Sequence, residues 1–276
     1  MSFAAEAPVP SRLRLNLATV RVLAGRDIVR FFRQRSRVIG ALAQPVIFWL
    51  VIGSGFGRSF QLPDAGGVAA QIDYRAFFFP GVVTMVLLFS AIFATISVIE
   101  DRREGFLQGV LAGPGSRWAV VVGKSAGSSI IALLQAGLFL LLAPFAGVHV
   151  AEIQFGLLAT VMVLSALALT GIGFSLAWWV NSAPGYHAVM SVVLIPMWVL
   201  SGAMFPITGA GPVVSAVMAV NPMRFAVDGV RRALFGDVAV QAATGATHGG
   251  WIELAALAAF ALVATGIAAW RVTKRE

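Results

Sequence analysis

The chain has 276 residues, of which 59% are hydrophobic and 12% charged. Soluble domains carry about 25% charged residues, so this composition excludes a soluble globular protein and fits a polytopic membrane protein. The net charge of +8 raises nucleic acid as a partner, and the absence of Cys excludes a disulfide framework, a thiolate metal site and a Cys nucleophile.

The first twelve residues, MSFAAEAPVPSR, lack the apolar core of a cleaved signal peptide, so the first span is expected to act as the insertion signal. Residues 12–37 read as one amphipathic helix. Leu13, Leu17, Val20, Ala24, Ile28 and Phe31 fall on one face, and Arg12, Arg26, Arg30, Arg33 and Arg37 fall opposite. Such a helix is expected to lie in the membrane interface with its Arg side chains toward lipid headgroups.

A bilayer core of about 30 Å takes roughly 20 apolar residues per helix. Six spans are expected at 38–56, 76–99, 119–146, 154–180, 187–204 and 251–270. Pro45 is a kink in the first, and Pro80 sits in the first turn of the second, where a missing N–H costs least. A polar loop is expected at 58–75, and tight turns at 148–153 and 181–186. Residues 205–250 carry Pro206, Pro212 and Pro222, two short apolar pieces and a Gly/Thr-rich stretch. They read as a partly buried outer helical hairpin followed by an exposed loop, because irregular backbone at membrane depth needs cover. The fold class is therefore all-α: an interfacial helix (1–37 with its tail), then a six-span domain (38–276) with a short hairpin between spans 5 and 6. There is no internal repeat.

Lys and Arg set the orientation. With the N-terminus inside, 15 of the 20 Lys and Arg lie in the N-terminal segment, in the segment between spans 2 and 3 with its flank at Lys124, and in the C-terminal tail RVTKRE. Both termini are then expected to be cytoplasmic. The positive charge is a topology signal, and nucleic-acid binding is excluded on that ground.

Residues 99–118, IEDRREGFLQGVLAGPGSRW, stand out between spans 2 and 3. Glu100, Asp101, Arg102, Arg103 and Glu104 are followed by Gly105. Phe106, Leu107, Val110 and Leu111 then follow at helical spacing, and Gly113-Pro114-Gly115 ends the helix. The acidic start suits the helix dipole. The apolar face calls for cover, from a partner's groove or from the bilayer.

Catalytic patterns are lacking. Gly123-Lys124-Ser125 matches the tail of a P-loop, but the position of its first Gly is Trp118 and residues 119–122 are apolar. Lys124 is expected to snorkel to the interface. His149, His187 and His248 are scattered, with no metal-ligand spacing. Within the spans, Gln44, Thr84, Ser90, Thr95, Gln135 and Ser165 are neutral, which argues against ion coupling. Gln44, Thr84, Ser90 and Gln135 are candidates to line a path, with helix packing as the alternative. Gly123, Gly127 and Thr170-Gly171-Ile172-Gly173 are small patches suited to close helix contact. Asp228 lies four residues after Arg224, with Arg231 and Arg232 three and four beyond, so these charges can pair along one helix face.

Three stretches together resemble the ABC-2 type exporter permeases. They are Glu100–Leu107 with the Gly-Pro-Gly after span 2, Ser201-Gly-Ala-Met-Phe-Pro-Ile207 at the end of span 5, and Asn221-Pro-Met-Arg-Phe-Ala-Val-Asp-Gly-Val-Arg231 before the last span. The closest flavour is the daunorubicin-resistance-type branch, with nodulation and polysaccharide exporters as neighbours. The resemblance implies a permease paired with a second permease subunit, each docked on a separate ATPase that holds the ATP and Mg, in a bacterial inner membrane. It implies no cofactor on this chain, no catalysis by it, and membrane lipids as its surroundings. It makes Glu100, Asp101, Arg102, Arg103, Glu104, Gly105, Phe106 and Leu107 the segment that couples to the ATPase. Arg26, Arg30, Arg33 and Arg37 become the interfacial clamp. Asn221, Pro222, Arg224, Asp228 and Arg231 become an anchored outer hairpin. The implied cargo is hydrophobic or amphiphilic. A lipid-linked glycan is the alternative, since Phe48, Trp49, Trp178, Trp179 and Trp198 could line a wide channel as well as form interfacial belts. A lipid-modifying membrane enzyme and an ATP-independent carrier are further alternatives.

Overall fold

The structure, a computed structural model, describes residues 11–56, 73–180, 182–245 and 249–274. The polar loop after span 1 lies outside these up to residue 72, as do the side chain of Arg37, His248 and the last two residues of the tail.

The described residues form ten α-helices and no strand: α1 (Arg12–Arg33), α2 (Arg35–Gly55), α3 (Tyr74–Arg103), α4 (Phe106–Leu111), α5 (Arg117–Leu140), α6 (Phe155–Trp179), α7 (Ala183–Trp198), α8 (Pro212–Val220), α9 (Pro222–Thr244) and α10 (Trp251–Lys274). Six of them are long and apolar enough to cross a membrane. Helix α3 is the hub, with nearly its whole length buried beneath α2, α5, α6, α7 and α9. Helix α10 packs mainly on α6.

Several boundaries differ from the sequence reading for local reasons. The expected single helix at 12–37 breaks at Gln34 (φ −92°, ψ 79°), so Arg35 and Arg37 begin α2. Helix α7 starts at Ala183 rather than 187, because Ser182 accepts a bond from the Gly185 N–H and Pro184 fits the first turn. At its far end α7 passes into a wide turn, Val199–Ala203, which Gly202 breaks with φ 82°. The exposed loop expected after the hairpin is largely helical. Helix α9 runs to Thr244, with an internal break at Gly236 (φ 78°). Helices α8 and α9 meet at 81°.

Helix α1 does more than lie on a membrane surface. Asn16 Oδ1 accepts from Ser116 N at 2.9 Å. A Cβ on Gly123 would sit 3.0 Å from Val20 Cα, and one on Gly127 would sit 3.1 Å from Ala24 Cα. Phe31 packs with Ile131 and Ala94. The paired numbers rise together, so α1 runs alongside α5 in the same direction. The buried face is Leu23, Ala24, Asp27 and Phe31, whereas Leu13 and Leu17 are exposed. The glycines of α5 permit this approach, and Gly171 does the same between α6 and α10, where a Cβ would meet Ala264 at 2.9 Å.

Candidate functional site

Two charged clusters mark the two ends of the bundle. The first lies where α1, α3 and α5 meet beside α4. Asp101 is fully buried near the end of α3 and collects three cations. Its Oδ1 accepts from Arg26 at 2.8 Å and from Arg30 at 3.0 Å, and its Oδ2 accepts from Arg26 at 2.9 Å and from Lys124. Lys124 also donates to Asp27 at 2.9 Å. Arg30 reaches Glu100 at 3.2 Å and Glu104 at 3.5 Å. Charges in a dry site survive only when paired, and here three helices contribute to the pairing. The bond to Asp101 raises the Arg26 guanidinium above its ordinary pKa. Burial raises the Asp27 carboxyl, which outweighs the opposing pull of Lys124.

This geometry corrects three expectations. Lys124 does not snorkel; its side chain is 1% exposed. Arg26 and Arg30 do not point toward headgroups but turn onto α3, while Arg33 remains exposed. The apolar face of α4 is covered by this chain itself. Leu107 is buried, and Phe106, Val110 and Leu111 pack on the core. Phe106 lies 3.8 Å beneath the Arg26 guanidinium. Gly105 makes the corner between α3 and α4 with φ 76°. Arg102 turns inward as well, donating to the carbonyls of Ala177 and Trp178 at 3.2 and 2.8 Å. Of the segment, Arg103, Glu104, Gln108 and Gly109 face outward.

The second cluster lies at the opposite end. Asn221 caps α9 by accepting from Met223 N, and its amide donates to the carbonyls of Met197 and Leu200. Pro222 opens the helix that follows. Asp228 accepts from Arg224 at 3.1 Å and from Arg231 at 2.9 Å. Arg231 is 2% exposed, donates to the Gly202 carbonyl at 2.8 Å and lies 4.7 Å from the Phe77 ring. Arg232 does not join Asp228; it pairs with Glu253 of α10 and with Asp237. The broken end of α7 is thus held by α9 from one side. Gly81 of α3 holds it from the other, where a Cβ would sit 2.6 Å from that of Ala203.

These contacts join the stretch at 201–207 to the stretch at 221–231, and the family model of the ABC-2 type transporter matches residues 18–235, a range containing the first cluster and the Asn221-to-Arg232 part of the second. The chain belongs to this family. It is the permease subunit of an ABC-2 type exporter and a multi-pass membrane protein, and permeases of this kind lack an ATPase domain and pair with ATPase subunits. Among curated relatives it is 30% identical to Nodulation protein J of Neorhizobium galegae over 216 residues, 72% of this chain and 74% of that one. It is 22% identical to the putative transport permease ycf38 of Cyanophora paradoxa over 212 residues, 76% and 72% of the two chains. It is 26% identical to the probable multidrug ABC transporter permease YbhR of Escherichia coli K12 over 165 residues, 57% of this chain and 43% of that one.

The polar residues of the ABC-2 permease's spans divide by burial. Thr84 bonds back to the Gly81 carbonyl of its own helix, whereas Ser90 and Gln135 bond each other in the interior and tie α3 to α5. Thr95 bonds Tyr186 at 2.6 Å in the same way. Gln44 lines an open cavity of about 160 Å³, with Phe48, Met85, Phe89 and Trp198 among its walls, whereas Thr84, Ser90 and Gln135 are fully buried. That cavity is bordered by α2, α3 and α7, the first, second and fifth spans of the permease.

Asp27 and Glu253 are structural charges that the sequence reading passed over, and Lys124 is one that it placed at the interface. Each carried a signal. Asp27 is the sole acid in an Arg-rich helix, Lys124 stands in an otherwise apolar stretch, and Glu253 opens span 6. An acid and a base that must both be buried call for each other.

Proposed function

We propose that this permease forms half of an exporter that moves a hydrophobic or amphiphilic molecule, drug-like or lipidic, out of the cytoplasm or inner leaflet. A second permease subunit, the same or different, completes the path, and each docks an ATPase at the Glu100–Leu107 segment through its outward residues Arg103 and Glu104. On this reading the termini are cytoplasmic and the membrane is the bacterial inner membrane. Residues 1–37 are the clamp, and residues 38–276 are the transport domain.

The observation that carries the reading is the buried joint around Asp101. It binds α1, the end of α3 and the start of α5 into one unit at the root of α4. A push on the outward face of α4 would then move two spans and the clamp together. Asn221 and Arg231 hold the opposite end of α7, where a gate would form. The apolar, aromatic walls beside Gln44 favour a hydrophobic cargo, in keeping with a relative described as a probable multidrug permease.

The test is a pull-down of the detergent-solubilised chain from native membranes. A P-loop ATPase is expected at one copy per permease, and Gly109→Trp, on the outward face of α4, is expected to lose it. Recovery of the intact chain without an ATPase, under conditions that hold other ABC complexes together, overturns the docking role.

A further inference from the structure

A second opening is used by neither cluster. It is a cavity of about 320 Å³ where α3 and α6 end, roofed by α4. Ile99, Leu107 and Leu111 form its apolar side, and Arg102, Arg103 and Trp178 its polar rim. Arg102 is fixed over the Trp178 ring at 5.1 Å and is pinned to the α6 carbonyls. Arg103 is exposed, and no carboxylate among the described residues pairs with it. The nearest acids are committed elsewhere: Glu100 and Glu104 to Arg30, and Asp101 to its three cations.

The depth matters as much as the charge. Both flanking helices are long enough to span a bilayer, and the cavity sits at their ends with Trp178 on its rim and the exposed Trp179 next to it in sequence. Trp at a span end marks the headgroup region. A cationic pocket between span ends, with an apolar wall leading away from it, matches a molecule that carries a phosphate on an acyl chain. A free anion would leave the apolar wall unused, and a neutral lipid would leave Arg103 without a counter-charge.

We infer that this cavity binds the phosphate headgroup of an anionic phospholipid, with Arg103 as its charge partner and Ile99, Leu107 and Leu111 against the first acyl carbons. The site is built by this chain alone, but Arg102, Arg103 and Leu107 also belong to the segment proposed to dock the ATPase, so lipid binding is tested without one.

The experiment is native mass spectrometry of the purified full chain, without any ATPase, equilibrated with phosphatidylglycerol, phosphatidylcholine or inorganic phosphate. Phosphatidylglycerol is expected to be retained well above phosphatidylcholine, and millimolar inorganic phosphate is not expected to displace it. Arg103→Ala removes the charge, and Leu111→Trp fills the cavity with the charge intact. Each is expected to weaken phosphatidylglycerol retention about five-fold, the scale of one interfacial cation, with phosphatidylcholine unchanged. Arg14→Ala, an exposed charge on α1, is the control and is expected to change it little. Equal retention of the two lipids overturns the site. So does displacement by inorganic phosphate, which would indicate a simple anion site. A loss with Arg103→Ala but none with Leu111→Trp would also overturn it, because net charge rather than this cavity would be the cause.

Discussion

The Lys124 ammonium donates to the Asp27 carboxylate at 2.9 Å across 97 residues of sequence, with both side chains almost fully buried. Lys124 also serves Asp101, so removing its charge leaves two buried carboxylates short of a cation. Lys124→Met is expected to cost about 3–5 kcal/mol, the scale of breaking a buried pair. Thermal unfolding in detergent, followed by the loss of monodisperse protein, reads this directly.

Asp101 and Asp27 should behave differently when neutralised. Asp101→Asn deprives Arg26, Arg30 and Lys124 together and is expected to be as damaging as Lys124→Met. Burial already disfavours the Asp27 charge, and its Oδ2 has no partner among the described residues. Its folded pKa lies above the 3.8 of a free carboxyl. The folded state therefore binds this proton more tightly than the unfolded state. The stability Asp27 withholds at neutral pH returns as pH falls through the folded pKa, and is fully present below 3.8. Asp27→Asn is thus expected to be near neutral or stabilising at pH 7.5, with its advantage over wild type shrinking toward acid. Melting temperatures of the two proteins along one pH series check the sign.

Arg102 and Arg103 are neighbours in sequence with opposite surroundings. Arg102→Glu places a carboxylate against the Ala177 and Trp178 carbonyls and is expected to lower the melting temperature. Arg103→Glu is expected to leave it unchanged while cutting ATP-driven transport in reconstituted vesicles about tenfold or more. Loss of stability in Arg103→Glu would show that this side chain supports the fold.

At the other end, Arg231→Met strips a donor from the Gly202 carbonyl and a partner from Asp228. A loss of about 3 kcal/mol is expected. Asp228→Leu in the same chain should recover part of it, because the carboxylate left behind is then removed too. Strict additivity of the two losses, measured as a double-mutant cycle on unfolding, would contradict the pairing.

Close helix approach gives a matched pair of substitutions on one helix. Gly123→Leu drives a side chain into Val20 and Leu23 of α1. A Cβ at Gly137 meets nothing within 4 Å, so Gly137→Leu starts into open space. The first is expected to abolish recovery of folded protein and the second to leave it intact, by fluorescence size-exclusion profile.

The two clusters were unequally legible. Arg224, Asp228 and Arg231 stand three and four residues apart on one helix, so local spacing alone pairs them. The tie from Arg231 to Gly202 spans 29 residues and ends on a backbone carbonyl. That carbonyl is accessible because α7 breaks there, and no side-chain pattern encodes it. The apolar face of α4 was recognised as needing cover, but its cover came from the chain's own core. A sequence period shows which face is apolar, not what meets it.

Span number and the all-helical class follow from the sequence by itself, because the bilayer demands about 20 apolar residues per crossing and satisfies no backbone group. The blocks of Arg and Lys are likewise a property of the linear chain. What only the tertiary structure decided is where the buried charges go: Asp27, Asp101 and Lys124 into one joint, Arg231 onto the broken end of α7, and Arg232 onto α10. A charge's cost depends on its distance to an opposite charge and on the water it loses, and both quantities come into being only when helices distant in sequence pack together.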